Sequence, residues 1–339
     1  MKITYKDAGV DIKKVKSAHK TIERLISATH GFRQGILSGY GHYAGLIEIG
    51  SNKVLALHTD GVGTKVLVAQ MAKRFDTIGV DCIAMNVNDV ICVGAEPVAF
   101  VDYLALRKPD EKLTQEVTRG LVEGARQAGV AIVGGETAVM PDIIKGDNQA
   151  FDLAGTVLGI TDKDKLVLGD KIEVGDIIIG VESNGLHSNG YTLARKVLLR
   201  KYGIREKVKE LDHTIGDELL RPTRIYVKPV MEILDEVHGL AHITGGAFTK
   251  LTRLNNNVGF HLDTMPEPPP IFKLIQKHAR INDKEMYSTF NMGIGFCIIT
   301  QKNVEDAIVS TFRKHNMRAS IVGRVKEDKG IYIDRTRLV

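Results

Sequence analysis

An acid, two glycines, a threonine and a lysine stand together in His58-Thr59-Asp60-Gly61-Val62-Gly63-Thr64-Lys65. The apolar run Val54 to Leu57 before it reads as a buried strand, and Val66-Leu67-Val68-Ala69-Gln70-Met71-Ala72 after it reads as a helix. At such a strand-to-helix turn, Gly61 and Gly63 let backbone N–H groups approach an anion, and the helix start adds a positive dipole end. A phosphate held there would leave Asp60 to take a divalent cation. The spacing is not that of a Walker loop, which separates its glycines more widely and puts Lys before Ser or Thr; here Thr64 precedes Lys65. A plain tight turn with a solvated acid and lysine at its rim uses the same residue types, so these eight residues leave both readings open.

Three other stretches carry chemistry. Thr77 to Val93 is apolar almost all round, yet Asp81, Asn88 and Asp89 fall within an arc of roughly 100° on one helical face. A carboxylate buried without a partner costs several kcal/mol, so the stripe calls for a cation or donors opposite it, or else for solvent or a neighbouring helix end to cap. Val130-Ala131-Ile132-Val133 reads as a buried strand ending in Gly134-Gly135-Glu136-Thr137, a second acid after a glycine pair, so two Gly turns and an acidic helix face can converge on one metal. Ser183-Asn184-Gly185-Leu186-His187-Ser188-Asn189-Gly190 leads into a helix from Tyr191 to Tyr202. Small hydroxyl and amide groups at a helix start suit a phosphate or sugar, with His187 as acid or base; Ser188 or Asn189 taken singly is equally an N-cap. Ala241-His242-Ile243-Thr244-Gly245-Gly246 repeats the strand-then-glycine theme. Gly39, Gly41 and Ala44 match a dinucleotide-binding spacing, but Leu46-Ile47-Glu48-Ile49 reads as a strand where that motif needs a helix, and the match is set aside.

The elements that position these residues alternate between strand and helix. Further helices are expected at Ile12 to Ile26, Glu111 to Ala128, Thr223 to Val237 and Val304 to His315, and further strands at Pro97 to Leu106, Phe151 to Ile160, Ile177 to Val181, Ile294 to Thr300, Ser320 to Val325 and Gly330 to Asp334. A chain of 339 residues exceeds the usual single-core limit of ~250–300, so two α/β or α+β domains with a cleft between them are expected. The polar run Thr161-Asp162-Lys163-Asp164-Lys165 reads as the linker, dividing residues 1–165 from 166–339. Lys and Arg number 46 against 41 Asp and Glu, interspersed, and only 6% of residues are aromatic; with no basic patch, a nucleic-acid partner is not expected, and small phosphorylated ligands are. Cys82, Cys92 and Cys297 form no close pair and read as buried thiols. With no membrane-length apolar run and no signal-peptide pattern, a cytoplasmic protein without a membrane partner is expected.

Taken in order, YKDAGVD, HTDGVGTK, DTIGVDCIAMNVNDVICVGAEP, VGGETA followed by MP, SNGLHSNGY, PTRIYVKPV, AHITGG and FNMGIG resemble the phosphoribosylformylglycinamidine cyclo-ligases of the aminoimidazole ribonucleotide (AIR) synthetase superfamily, over nearly the whole chain. The resemblance implies an ATP-dependent ring closure of purine biosynthesis, in which formylglycinamidine ribonucleotide and ATP give aminoimidazole ribonucleotide, ADP and phosphate. It implies a homodimer whose amino-terminal ATP/Mg²⁺-binding domains pair their sheets into a barrel-like core, each flanked by an α/β sandwich carboxyl-terminal domain. By the same resemblance Asp60, Asp89 and Glu136 are similar to the acids that hold Mg²⁺ on the ATP phosphates. Gly61, Gly63, Thr64, Lys65, Asn88, Gly134, Gly135 and Thr137 go with them to the nucleotide, as do Lys6 and Asp11 beside Tyr5 in the amino-terminal segment. Ser183, Asn184, His187, Ser188, Asn189, Thr244 and Gly245 are expected to face the substrate. Val139 stands where the family has an acid and Ala247 where it has a third Gly, and neither touches the main acids.

The implied chemistry explains the residue types. A formyl oxygen leaves poorly until it is phosphorylated, and an iminophosphate then yields to attack by the neighbouring nitrogen. Catalysing the first step is mostly charge neutralisation and positioning, which asks for acids to hold Mg²⁺, for Lys65 and for glycine turns. His187, with His242 as second choice, is the candidate for moving the proton lost on ring closure.

Overall fold

The computed structural model describes residues 7, 9, 12–38 and 42–339, the side chains of residues 12, 13, 15 and 16 excepted. Ten helices are found among them: α1 (Ile12–Ser27), α2 (Val66–Ala72), α3 (Asp76–Ile91), α4 (Glu111–Ala128), α5 (Tyr191–Leu198), α6 (Ile215–Leu219), α7 (Val227–Met231), α8 (Pro270–Ala279), α9 (Asp283–Thr289) and α10 (Glu305–Lys314). None is long and apolar enough to cross a membrane. Six strands make a first sheet: β1 (Ile36–Ser38), β2 (Gly45–Gly50), β3 (Lys53–Gly61), β4 (Glu96–Leu106), β5 (Ala131–Val139) and β6 (Phe151–Asp162), in the order β1-β2-β3-β6-β4-β5. Seven make a second: β7 (Ile177–Glu182), β8 (Val237–His242), β9 (Gly259–Leu262), β10 (Ile294–Thr300), β11 (Ala319–Lys326), β12 (Gly330–Ile333) and β13 (Thr336–Arg337), in the order β13-β12-β9-β11-β7-β10-β8. Only the β4–β5 and β9–β12 pairs are parallel, so both sheets are mixed, and neither closes into a barrel.

Helix α3 is the hub. Its residues from Thr77 to Ile91 are all buried, because β3 and β6 lie under one side and α4 over another. α4 begins where the Asp110 carboxylate caps the Leu113 N–H at 2.9 Å and ends at Gly129 in a left-handed conformation. The two helices cross at glycines: a Cβ on Gly79 would stand 2.2 Å from Leu121 N, and one on Gly120 would stand 2.1 Å from Asp76 O. In the second sheet, every residue of β10 and all but the last of β7 are buried.

Two expectations fail for physical reasons. β5 is an edge strand, not a buried one: Val133 is 66% exposed, and Gly134-Gly135-Glu136-Thr137 lies inside the strand rather than in a turn after it. Gly135 is needed there because a Cβ would stand 2.4 Å from the Asp102 carboxylate on β4. The expected helix from Thr223 to Val237 shrinks to the single turn α7, since residues 221–226 run non-helically with their backbone groups taken up by side chains of α3 and by Lys65. The helix after Tyr191 also stops early, at Leu198.

Candidate active site

The polar stripe of α3 does meet donors and a cation: the donors come from the second half of the chain and the cation is Lys65. Asp81 accepts from the backbone N–H and the hydroxyl of Thr223 at 2.7 and 2.6 Å. Asn88 donates to Arg224 O at 2.8 Å and accepts from Tyr226 N–H at 3.0 Å. Asp89 pairs with His242 Nδ1 at 2.7 Å. A segment whose N–H and C=O groups are held this way need not make a helix to satisfy them.

Lys65 belongs to this buried lattice. Its side chain is wholly enclosed, with Nζ 2.7 Å from Asp81 and donating to His187 O at 3.1 Å and Arg221 O at 2.6 Å. The ammonium also lies 5.6 Å from the ring centroid of Tyr191. Burial pulls the amine below its ordinary range, and Asp81 works against that pull. The expectation that Lys65 reaches a nucleotide phosphate is therefore corrected: its three protons have partners inside the protein. Asn88 is corrected in the same way, because both ends of its amide are spent on the 224–226 backbone.

Beside this lattice a cleft of about 900 Å³ opens between the first sheet and the 3₁₀ turn Ala247–Arg253, lined among others by His42, Tyr43, His58, Asp60, Asp89, Lys250 and Arg253, together with Lys20 and Glu23 of α1. Asp60 sits at the carboxyl end of β3, where its N–H donates to Asn86 Oδ1 at 2.9 Å and its carboxylate accepts from Gly61 N–H at 2.8 Å. Burial and the like charge of Asp89 push its pKa up. Burial acts on Asp89 too, but Lys250, the hydrogen bond from His242 and the nearby His58 outweigh it and hold that carboxyl well below the usual range. His58 Nε2 lies 3.6 Å from the second oxygen of Asp89. Two half-paired carboxylates and two basic side chains thus share one water-accessible space, which suits a cation with its anionic ligand.

The remaining predicted residues divide. Thr64 Oγ1 lies 3.3 Å from Thr192 Oγ1 at the start of α5, and Asn189 Oδ1 lies 3.1 Å from where a Cβ on Gly245 would stand, so the three glycine turns do meet. Asn189 Nδ2 is buried with no partner, Ser188 is tied to Thr223 at 3.1 Å, and Thr244 accepts from Lys250. Ser183 and Asn184 are consumed locally, by Gly185 O and Asn291 and by Pro222 O. His187 is fully buried, Nε2 accepts from Asn184 N–H at 3.0 Å, Nδ1 has no partner, and burial with nearby positive charge favours the neutral ring. Glu136 does not join the other acids within the chain. Asp60 pairs with Gly155, Gly155 with Asp102 and Asp102 with Gly135. The strand of Glu136 is therefore three strands, roughly 14 Å, from Asp60. Gly134, Gly135 and Thr137 share that displacement, and among the described residues no group of three or more His, Cys, Asp and Glu is gathered to hold a metal. Lys6 and Asp11 lie outside the described residues. The sequence reading missed His42, Tyr43, Lys250 and Arg253; the signal for the last two is their spacing of three in a stretch, Ala247–Arg253, that folds as a 3₁₀ turn.

Comparison with known proteins gives consistent matches. The family described as AIR synthase related protein, N-terminal domain, matches residues 41–161, and the corresponding C-terminal domain matches residues 173–335. The phosphoribosylformylglycinamidine cyclo-ligase of Methanocaldococcus jannaschii is 50% identical over 331 residues, 95% of this chain and 92% of that protein. Those of Pyrococcus furiosus, 49% identical with 98% of each chain covered, and Methanobrevibacter smithii, 47% identical with 98% and 97% covered, are similar. Among solved structures, a thiamine-monophosphate kinase from Stenotrophomonas maltophilia superposes with a TM-score of 0.64 at 21% identity, covering 93% of this chain and 96% of that one, which speaks to the fold alone.

Proposed function

The chain belongs to the AIR synthase related family, and from that premise we propose that it closes the imidazole ring of 5-aminoimidazole ribonucleotide, converting formylglycinamidine ribonucleotide and ATP to that product, ADP and phosphate. The observation that carries the reading is 47–50% identity, across both halves of the chain, to relatives named phosphoribosylformylglycinamidine cyclo-ligase.

Asp60 and Asp89 are the residues assigned to Mg²⁺. The pair fits that ion: both donors are hard oxygens on one cleft, Asp60 carries the strain of a like charge beside it, and Mg²⁺ characteristically uses one or two carboxylates together with phosphate oxygens. When bound, the ion would draw negative charge from the phosphates. Gly61, Gly63 and Thr64 at the adjoining turn are assigned to the nucleotide, and Ser188, Asn189, Thr244 and Gly245 to the ribonucleotide substrate. The unpartnered amide of Asn189 supports the second assignment, since a buried donor without an acceptor is costly until a ligand supplies one. In the first step the formyl oxygen takes the phosphoryl group and ADP leaves. In the second, the neighbouring nitrogen attacks the same carbon and phosphate departs, an intramolecular closure favoured by holding the substrate bent. For the proton lost on ring closure we retain His187, whose Nδ1 has no partner, ahead of His242, which is equally buried and has its Nδ1 bonded to Asp89.

We assign residues 1–165 to the ATP/Mg²⁺-binding and dimerisation domain and 166–339 to the AIR synthetase-type domain. A homodimer is supported by the first sheet, which carries helices on one face and leaves Leu57, Val98, Val101 and Tyr103 exposed on the other, next to the open edge β5. A monomeric mass by sedimentation at assay concentration would count against it. The function is tested by incubating the protein with ATP, Mg²⁺ and formylglycinamidine ribonucleotide and following ADP and the diazotisable aminoimidazole together. Equal yields of both, lost in Asp60→Asn, are expected; ADP release indifferent to the substrate would refute the ring closure.

A further inference from the structure

Once Lys65 is sealed inside the protein, the cleft has no cation on the β3–α2 turn to set against a phosphoryl group. We propose that Lys250 and Arg253, mounted on the ring of Tyr43, form the cationic wall of a phosphoryl-binding site facing Asp60 and Asp89. The inference rests on the ATP-dependent reading above and adds to it the residues that hold the phosphoryl group.

Four observations converge. Lys250 and Arg253 are three residues apart in the 3₁₀ turn Ala247–Arg253, a geometry that stacks side chains at that spacing on one face. Lys250 Nζ and Arg253 Cζ each lie 5.6 Å from the ring centroid of Tyr43, and Tyr43 is wholly buried, so one aromatic ring fixes two cations. Lys250 is further held by the hydroxyl of Thr244. Finally, buried polar atoms without hydrogen bonds gather in this same cleft: both ring nitrogens of His42, the hydroxyl of Tyr43 and Nε2 of His58, whose nearest acid, Asp89, is 3.6 Å away. Buried donors and acceptors left open cost stability, and their concentration around two anchored cations marks a place built for a polar anionic ligand.

A phosphoryl group could be the γ-phosphate of the nucleotide or the 5′-phosphate of the ribonucleotide, and three probes separate them. Wild type, Lys250→Met, Lys250→Arg and Arg253→Met are titrated calorimetrically with Mg²⁺ and the non-hydrolysable analogue AMPPNP, with Mg²⁺ and ADP, and with ribose 5-phosphate, after circular dichroism has shown which variants fold. Loss of about tenfold or more in AMPPNP affinity for Lys250→Met and Arg253→Met, with ADP affinity little changed and Lys250→Arg retaining most of the binding, is the expected result for the γ-phosphate. The same pattern on ribose 5-phosphate supports the site with the sugar phosphate as its occupant. If Lys250→Met does not fold, Arg253→Met and Lys250→Arg carry the comparison. Wild-type affinities for all three probes in the folded variants would overturn the inference. Turnover of wild type to the imidazole is scored separately, so a protein that makes product while its Lys250 and Arg253 variants bind as wild type removes this inference alone. A protein that makes none but loses AMPPNP in the variants keeps the site and loses the ring closure.

Discussion

Replacing Lys65 by Met decides whether the lysine of the glycine turn is a tether or a ligand. Lys65 and Asp81 are both fully buried, and their 2.7 Å contact joins the first sheet's hub helix to the 221–226 segment through His187 O and Arg221 O. Met fills nearly the same volume, so packing is kept while the charge and three donors are lost. Asp81 is then left with the two donors of Thr223 against a buried charge, and two backbone carbonyls lose a partner. Breaking a buried ion pair from one side costs about 3–5 kcal/mol. In a chain of this size, at about 2 °C per kcal/mol, that is a fall of about 6–10 °C in melting temperature. The assay is thermal unfolding of ligand-free protein followed by circular dichroism, run for Lys65→Met, Asp81→Asn and the double variant. The double variant is expected to melt higher than the sum of the single losses predicts, since removing both charges leaves no isolated ion behind. A phosphate ligand would behave otherwise. If Lys65→Met melts within about 1 °C of wild type, the range of an ordinary surface change, and instead loses nucleotide affinity, the tether is refuted.

Two further outcomes follow from the same contacts. Asn88→Ala strands the half-buried Arg224 O and the buried Tyr226 N–H, and is expected to cost about 2–4 kcal/mol; faster amide exchange at Tyr226 than in wild type checks that the loss is local to this strap. Glu182 is held below the usual carboxylate range although burial opposes it, because the side chain and N–H of Arg318 and the guanidinium of Arg224 surround it. A depressed carboxylate adds stability above its unfolded pKa and loses it as pH falls through the folded value. Glu182→Gln is therefore expected to be less stable than wild type by about 1 kcal/mol at pH 7. Urea midpoints should show that gap closing as the pH drops from about 5 to below 4, and a gap that persists in acid would mean the contact is not ionic.

Much of the framework was legible because it depends on neighbours in the chain. The helices α2, α3 and α4 follow from periodicity and capping and match their expected bounds to within two residues, whereas β3 runs on through His58 to Gly61, four residues past the expected strand end. The stripe of Asp81, Asn88 and Asp89 even announced that something must answer it. Apart from Lys65, what answers it lies more than a hundred residues away, and nothing local to Thr223 to Val237 says that its backbone will be claimed. Helical periodicity there is real, and it loses because three buried side chains offer the backbone partners of their own. β5 failed differently: an apolar run signals burial whether the cover is a helix of the same chain or another surface, and in this chain its outer side is open.

The site itself shows where sequence reading stops. Asp60 and Asp89 could be named because acids at such positions are expensive without a purpose. A lysine is ambiguous, since its long stem lets the same residue point into a cleft or fold back into a core, and the turn HTDGVGTK contains no information about which. Direction is settled by what stands opposite: Asp81 and two carbonyls draw Lys65 inward, while the ring of Tyr43 and the hydroxyl of Thr244 hold Lys250 at the cleft. The positive charge that a phosphate needs is thus present in the fold, but it is carried by the turn after β8 instead of the turn after β3. A motif of this kind locates the site through its acids and glycines, and the identity of its cation has to be read from the packing.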